Sequence, residues 1–231
     1  MVFGGVWFDD FRTRTEWNAY ANEKRYEASA APWKLVRVDP STVELYNPVS
    51  FAWGLGQVRG GDWDLPKNCG EIDETRVSRG LRQHFEEDRD WEETVYVDHV
   101  HEQFELEVSY RGYETVEERL EAVDSLYESV REEGYRPNRG TVYDAPEDVE
   151  HIHDLEPLVL VGRSGEIIWS EGFHRLVIAA LAGIEEVPVY VLRRHERWQR
   201  IRDEIATTPP DERGPELEAY ADHPDVADLV D

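Results

Sequence analysis

The sequence predicts an α/β (α+β) fold in which helices alternate with short strands. Three stretches carry that prediction. "ETVEERLEAVDSLYESVREEG" places Val116, Leu120, Val123, Leu126, Tyr127 and Val130 on one helical face, and Gly134 supplies the stop. "LEPLVLVGRSGEIIWSEG" reads as a β-hairpin: apolar residues 158–161, a turn at Arg163-Ser164-Gly165, then Ile167-Ile168-Trp169. "EGFHRLVIAALAGIEEVPVYVL" reads as a helix over 172–182, apolar all round and so buried, followed by a strand over 187–192.

The other elements follow in order. A helix runs from about Thr13 and is ended by Pro32. "WKLVRVDPSTVELY" gives two short strands around a Pro40-Ser41 turn. Residues 47–71 read as loop, with glycines at 54, 56, 60, 61 and 70. Asp73 or Thr75 caps a helix through Phe85, and another helical stretch follows Trp91. After the long helix comes a turn-rich connection, "YRPNRGTVYDAPEDVEHIHD". Past the 187–192 strand, "HERWQRIRDEIA" is a helix, then a Pro-rich break, a short helix and an acidic tail. Three regions result: 1–110, a helical and short-strand extension or subdomain rich in Trp and Gly; 111–205, the core; and 206–231, a C-terminal helix and tail.

Apolar residues make up 40% of 231 residues, enough for a sizeable core. No apolar run reaches the ~20 residues that span a bilayer, and the first residues lack the pattern of a secretory signal. A single cysteine, Cys69, excludes an internal disulfide and argues against a structural zinc site. Net charge is −26, with 51 acids and only three lysines, Lys24, Lys34 and Lys67. Such a surface suits the cytoplasm of a salt-accumulating halophile, where dense salt screens the self-repulsion. The acidity describes the solvent before it describes a partner, and makes DNA an unfavourable one. Residues 1–70 hold 9 acids and 8 bases, and five of the eight tryptophans; the other 42 acids lie beyond them. The near-neutral segment is thus expected to be buried or to form a contact surface.

The 171–175 turn has the chemistry of an anion site. Gly172 permits close backbone approach, and the first turn of the following helix offers N–H groups and the positive end of its dipole. Arg175 adds a planar fork suited to phosphate oxygens, and His174 can donate to the same anion. Glu171 can hold a Mg²⁺ ion or act as a base. By spacing alone, the same residues also suit a core helix whose Arg175 pairs with one of many acids.

The stretch "LVLVGRSGEIIWSEGFHRLVIAALAGIEEVPVYVL" resembles the core of the ParB/sulfiredoxin superfamily: a hairpin, an acid-Gly-x-His-Arg-like turn opening an Ala-rich helix, a Gly-containing loop and a "VPV" strand. Upstream, "LYESVREEGYRP" (126–137) resembles the family's helix and Gly-to-Pro segment. The resemblance covers about residues 120–192, with a long insertion at 138–155, and leaves residues 1–110 outside it. It implies that Gly172, His174, Arg175 and Arg136 meet the phosphates of a nucleotide, ATP or CTP, and that Glu171 stands where small-molecule kinases of the superfamily have an aspartate. Sulfiredoxin places its reactive cysteine immediately before the His-Arg pair; here that residue is Phe173. The partition branch adds a DNA-binding domain, whereas only 39 residues follow Leu192.

Two further stretches are candidates for the same pocket. "RRHERWQRIR" (193–202) carries five arginines, among them Arg194, with His195 and Trp198, a set that can contact a ligand or pair with nearby acids. "VRGGDWD" (58–64) offers Arg59, a Gly60-Gly61 nest, Asp62 and Trp63, or simply an Asp-stabilised turn. The histidine pairs in "HVHEQ" (99–103) and "HIHD" (151–154) have a spacing unsuited to a helical metal site and read as solvated. The functional expectation is a nucleotide-binding protein acting with Mg²⁺ as a phosphotransferase or NTPase on a small hydroxylated substrate. The alternative is a nucleotide-gated binding module for DNA or a protein, without catalysis of its own, and the bland option a domain that has lost its ligand.

Overall fold

The structure, a computed structural model, describes residues 8–106, 112–137 and 154–229. These form seven α-helices and one mixed seven-stranded sheet. Its central strand is β7 (Val187–His195). On one side β5 (Leu158–Val161) runs parallel to β7, and β6 (Ile167–Glu171) pairs antiparallel with β5. Two strands share the other edge of β7: β1 (Val36–Val38) lies antiparallel along Val187–Val189, and β3 (Gln57–Arg59) parallel along Arg193–His195. Beyond β6 come β2 (Leu45–Tyr46), parallel to it, and then β4 (Gly70–Glu71).

Every residue of β5 and β7 is buried, because both faces of the sheet are covered. Alternation sends Val159, Val161, Trp169, Val187, Val189 and Val191 to one core. That core is covered by α2 (Arg76–Phe85), α3 (Val95–Glu105), α4 (Val116–Glu133), α5 (Phe173–Leu181) and α6 (Glu196–Thr207), which contribute Leu81, Val100, Val123, Ile178 and Ile205. The intervening Leu158, Leu160, Ile168, Tyr190 and Leu192 face a second core, closed by Phe11 of α1 (Phe8–Glu23), Phe51 and Leu55. The strands of residues 36–71 are therefore interleaved with those of residues 158–195 in one sheet, so the N-terminal stretch elaborates the same fold.

Several elements depart from the sequence expectation. Helix α1 is already formed at Phe8, because Phe8 and Phe11 pack with Trp33 in the second core. The strands β1 and β2 flank the Pro40–Thr42 turn as expected but pair with different neighbours, β7 and β6. Strands β3 and β4 lie in a stretch read as loop; two or three residues are too few to show a period. Thr75, not Asp73, caps α2 by accepting from the Ser78 N–H. Strand β7 runs on through Arg193-Arg194-His195, and His195 Nδ1 caps α6 by accepting from the Arg197 N–H at 3.1 Å. A last helix, α7, spans Pro215–Glu218. No helix among the described residues is long and apolar enough to cross a membrane.

Candidate functional site

The hairpin β5–β6 has two ends, and the residues singled out by sequence divide between them. Its open end carries Glu171, Gly172 and the first turn of α5. Gly172 sits in the left-handed region (φ 90°), and a Cβ there would meet Pro157 Cβ at 3.0 Å. Glycine is thus required by the turn itself. Phe173 packs edge-on against Tyr46. Glu171 is half-buried at the end of β6, opposite Leu158.

Arg175 leans toward the segment that leads into β5. Its Nη1 donates to the carbonyl of Leu155 at 3.2 Å and lies 3.8 Å from Glu156 Oε2. Glu156 is buried and accepts from the Tyr135 hydroxyl at 2.9 Å. Burial, then the Glu156 charge, pushes the Tyr135 phenol well above its ordinary pKa. Between the end of α4 and α5 lies a cleft of ≈ 100 Å³, lined by Ser129, Gly134, Tyr135, Arg136, Arg175 and the apolar Leu126, Val130 and Ile178. Arg136 is exposed and pairs with Glu133. Two of the predicted phosphate residues, Arg136 and Arg175, therefore line one cleft.

His174 does not join them. Its Nε2 makes a 2.8 Å hydrogen bond with the hydroxyl of Tyr96 in α3. Burial, with Arg119 and His99 nearby, lowers its pKa to about 3. It is neutral at pH 7 and turned into the helical layer. The sequence reading puts His174 on the phosphate as a donor and catalytic group; its ring is instead held by Tyr96. His99, from the expected solvated pair, is half-buried beside Tyr96, and His101 is exposed on α3; His151 and His153 lie outside the described residues.

The turn end of the hairpin gathers the other candidates, roughly 13 Å from the α5 mouth for a strand of this length. Arg163 donates to Asp64 from its backbone N–H, Nε and Nη2, at 2.7–2.9 Å, and to Gly61 O and Asp62. Burial pushes the Asp64 carboxyl up, but the Arg163 hydrogen bonds outweigh it and hold the pKa below the usual range. His195 hydrogen-bonds Gly61 O at 3.0 Å, and Trp63 packs against His195 and Arg193. Gly60 lies against Glu196, and Arg59 is exposed on β3. This is an Arg-clamped turn, and none of its residues lines the cleft of Arg136 and Arg175.

Of the two roles open to the 193–202 stretch, Arg194 takes that of pairing with an acid, and Trp198 shares the same acid. Both are buried, Trp198 completely, and both donate to Asp225: Arg194 at 2.8 and 2.5 Å, Trp198 Nε1 at 2.8 Å. Arg202, also fully buried, lies 3.7 Å from Asp225 and bonds Asp228. The tryptophan has no open face on which a base could stack. The arginines hold the C-terminal segment to the sheet.

A larger groove of ≈ 700 Å³ runs between α5, α2 and the β2–β4 edge. Its rim carries Glu44, Glu71, Asp73 and Glu86 against Arg82, a balance that repels phosphate. Among the described residues, no group of three or more His, Cys, Asp or Glu side chains is placed to hold a metal ion. Among the described residues, Glu171 therefore belongs to no such group. Sequence reasoning missed Tyr135, Leu155 and Glu156 beside Arg175, and Asp225 beside Arg194; one acid among 51 carries no local signal. Comparison with family models, curated proteins and solved structures returned no match.

Proposed function

We propose that the chain binds the phosphates of a nucleoside triphosphate, ATP or CTP, between the end of α4 and the first turn of α5. The observation that carries this reading is the convergence of Arg136 and Arg175, from separate elements, on one cleft. Paired guanidinium groups beside a helix N-terminus suit phosphate oxygens. The cleft has the size of a phosphoryl group, so sugar and base would lie outside it. Any Mg²⁺ would arrive with the nucleotide, held chiefly by its phosphates, as Mg²⁺ bound with a substrate phosphate commonly is.

In the phosphotransferase or NTPase reading, the arginines hold the terminal phosphate and Glu171 accepts the proton of a small hydroxylated substrate or of water. Neutral His174 is too weak a base for that step. The nucleotide-gated module is the second reading. It is favoured by the contacts of Arg175 with Leu155 and Glu156, which a bound phosphate would rearrange at the start of β5. Thermal shift with ATP and CTP in molar KCl, together with phosphate release, separates the two. Stabilisation with release that is lost in Glu171→Gln supports the enzyme. Stabilisation without release supports the module, and no stabilisation by either nucleotide contradicts both.

A further inference from the structure

Glu156 is only 2% exposed, yet it carries a carboxylate beside the proposed phosphate cleft. Its Oε2 accepts from Tyr135 at 2.9 Å and stands 3.8 Å from Arg175 Nη1. One of the two arginines lining the cleft therefore already faces an anion of the chain's own. We propose that Glu156 is the specificity determinant of this cleft: it stands in for the ligand on Arg175, admits phosphoryl groups and turns carboxylates away. This rests on the phosphate reading above.

A buried carboxylate has given up its water and depends on its cation and hydrogen-bond donors. A ligand that draws Arg175 away removes a positive charge from beside the Glu156 carboxylate. A cleft of ≈ 100 Å³ admits one carboxylate group of a ligand at a time, which replaces one single charge by another and so does not offset that loss. A phosphoryl group carries up to two charges and three acceptor oxygens. It can engage Arg136 as well as the planar fork of Arg175. The internal carboxylate thus sets a threshold that the charge and geometry of phosphate exceed.

The test compares inorganic tripolyphosphate with tricarballylate, a tricarboxylate, by calorimetric titration of the full chain in molar KCl. Wild type is expected to bind tripolyphosphate and give no measurable heat with tricarballylate. Glu156→Gln keeps the shape and an acceptor for Tyr135 but removes the charge. It is expected to bind tripolyphosphate on the order of tenfold tighter and to bind tricarballylate as well. An unchanged or weaker tripolyphosphate affinity in a folded Gln variant, with wild type binding, overturns the inference alone. If wild type and the Gln variant both ignore tripolyphosphate while folded, the phosphate reading fails and the inference with it. Should Glu156→Gln not fold, Tyr135→Phe supplies the test with the opposite sign. It leaves Glu156 more dependent on Arg175, so tripolyphosphate should bind several-fold more weakly; tighter binding overturns the inference.

Discussion

His174 shows how a residue of the right type in the right place in the sequence can serve a different end. Its ring is held by Tyr96 and kept neutral, with a pKa lowered from 6.5 to about 3. The unfolded chain takes up this proton as pH falls through about 6.5, whereas the folded chain resists until about 3. The contribution to stability is therefore complete above pH 6.5 and is lost progressively between there and about pH 3. Denaturant unfolding across this window should show a fall in stability that is shallower in His174→Gln. An identical slope in the variant would mean that other groups carry the whole effect. The sequence assigned His174 to a phosphate; what it did not show was the side chain's direction, set by Tyr96 of α3 seventy-odd positions earlier in the chain. Gly172 was legible, because a left-handed turn facing Pro157 admits nothing larger without strain.

At the scale of elements, α4, α5 and the β5–β6 hairpin were readable because each repeats its apolar pattern over enough residues to reveal a period. Strand β7 was readable only as far as its apolar stretch. Its last three residues, Arg193, Arg194 and His195, are charged or polar, yet they are buried between β3, β5 and the C-terminal segment. Their partners Gln57, Asp225 and Gly61 lie far away in the sequence. Local pattern cannot predict such burial, because it depends on compensation by distant groups. The Asp225 carboxyl is pushed up by burial, but Arg194 and Arg202 prevail and hold it below its ordinary range. Asp225→Ala leaves Arg194 buried without its carboxylate and should cost about 3–5 kcal/mol, measured by denaturant unfolding. A loss under 1 kcal/mol would show that the segment is held by its apolar contacts, such as Val226, instead.

For the whole molecule, the contrast is between a charge of −26 and a small cleft lined by two arginines. Long-range repulsion works against any polyanion in dilute buffer, so the affinity of the cleft should be read in molar salt, where the Debye length is only ~3 Å. The larger groove is acidic and the 58–64 turn is clamped by Arg163, which leaves the cleft between α4 and α5 as the place where predicted cations meet. Calorimetric titration of ATP and CTP in molar KCl against wild type, Arg136→Ala and Arg175→Ala tests that claim most directly. The account predicts that one nucleotide binds wild type and that each substitution weakens binding at least about tenfold, a loss of ~1.4 kcal/mol. Nucleotide binding undiminished in Arg175→Ala, or none to the folded wild type, would contradict it.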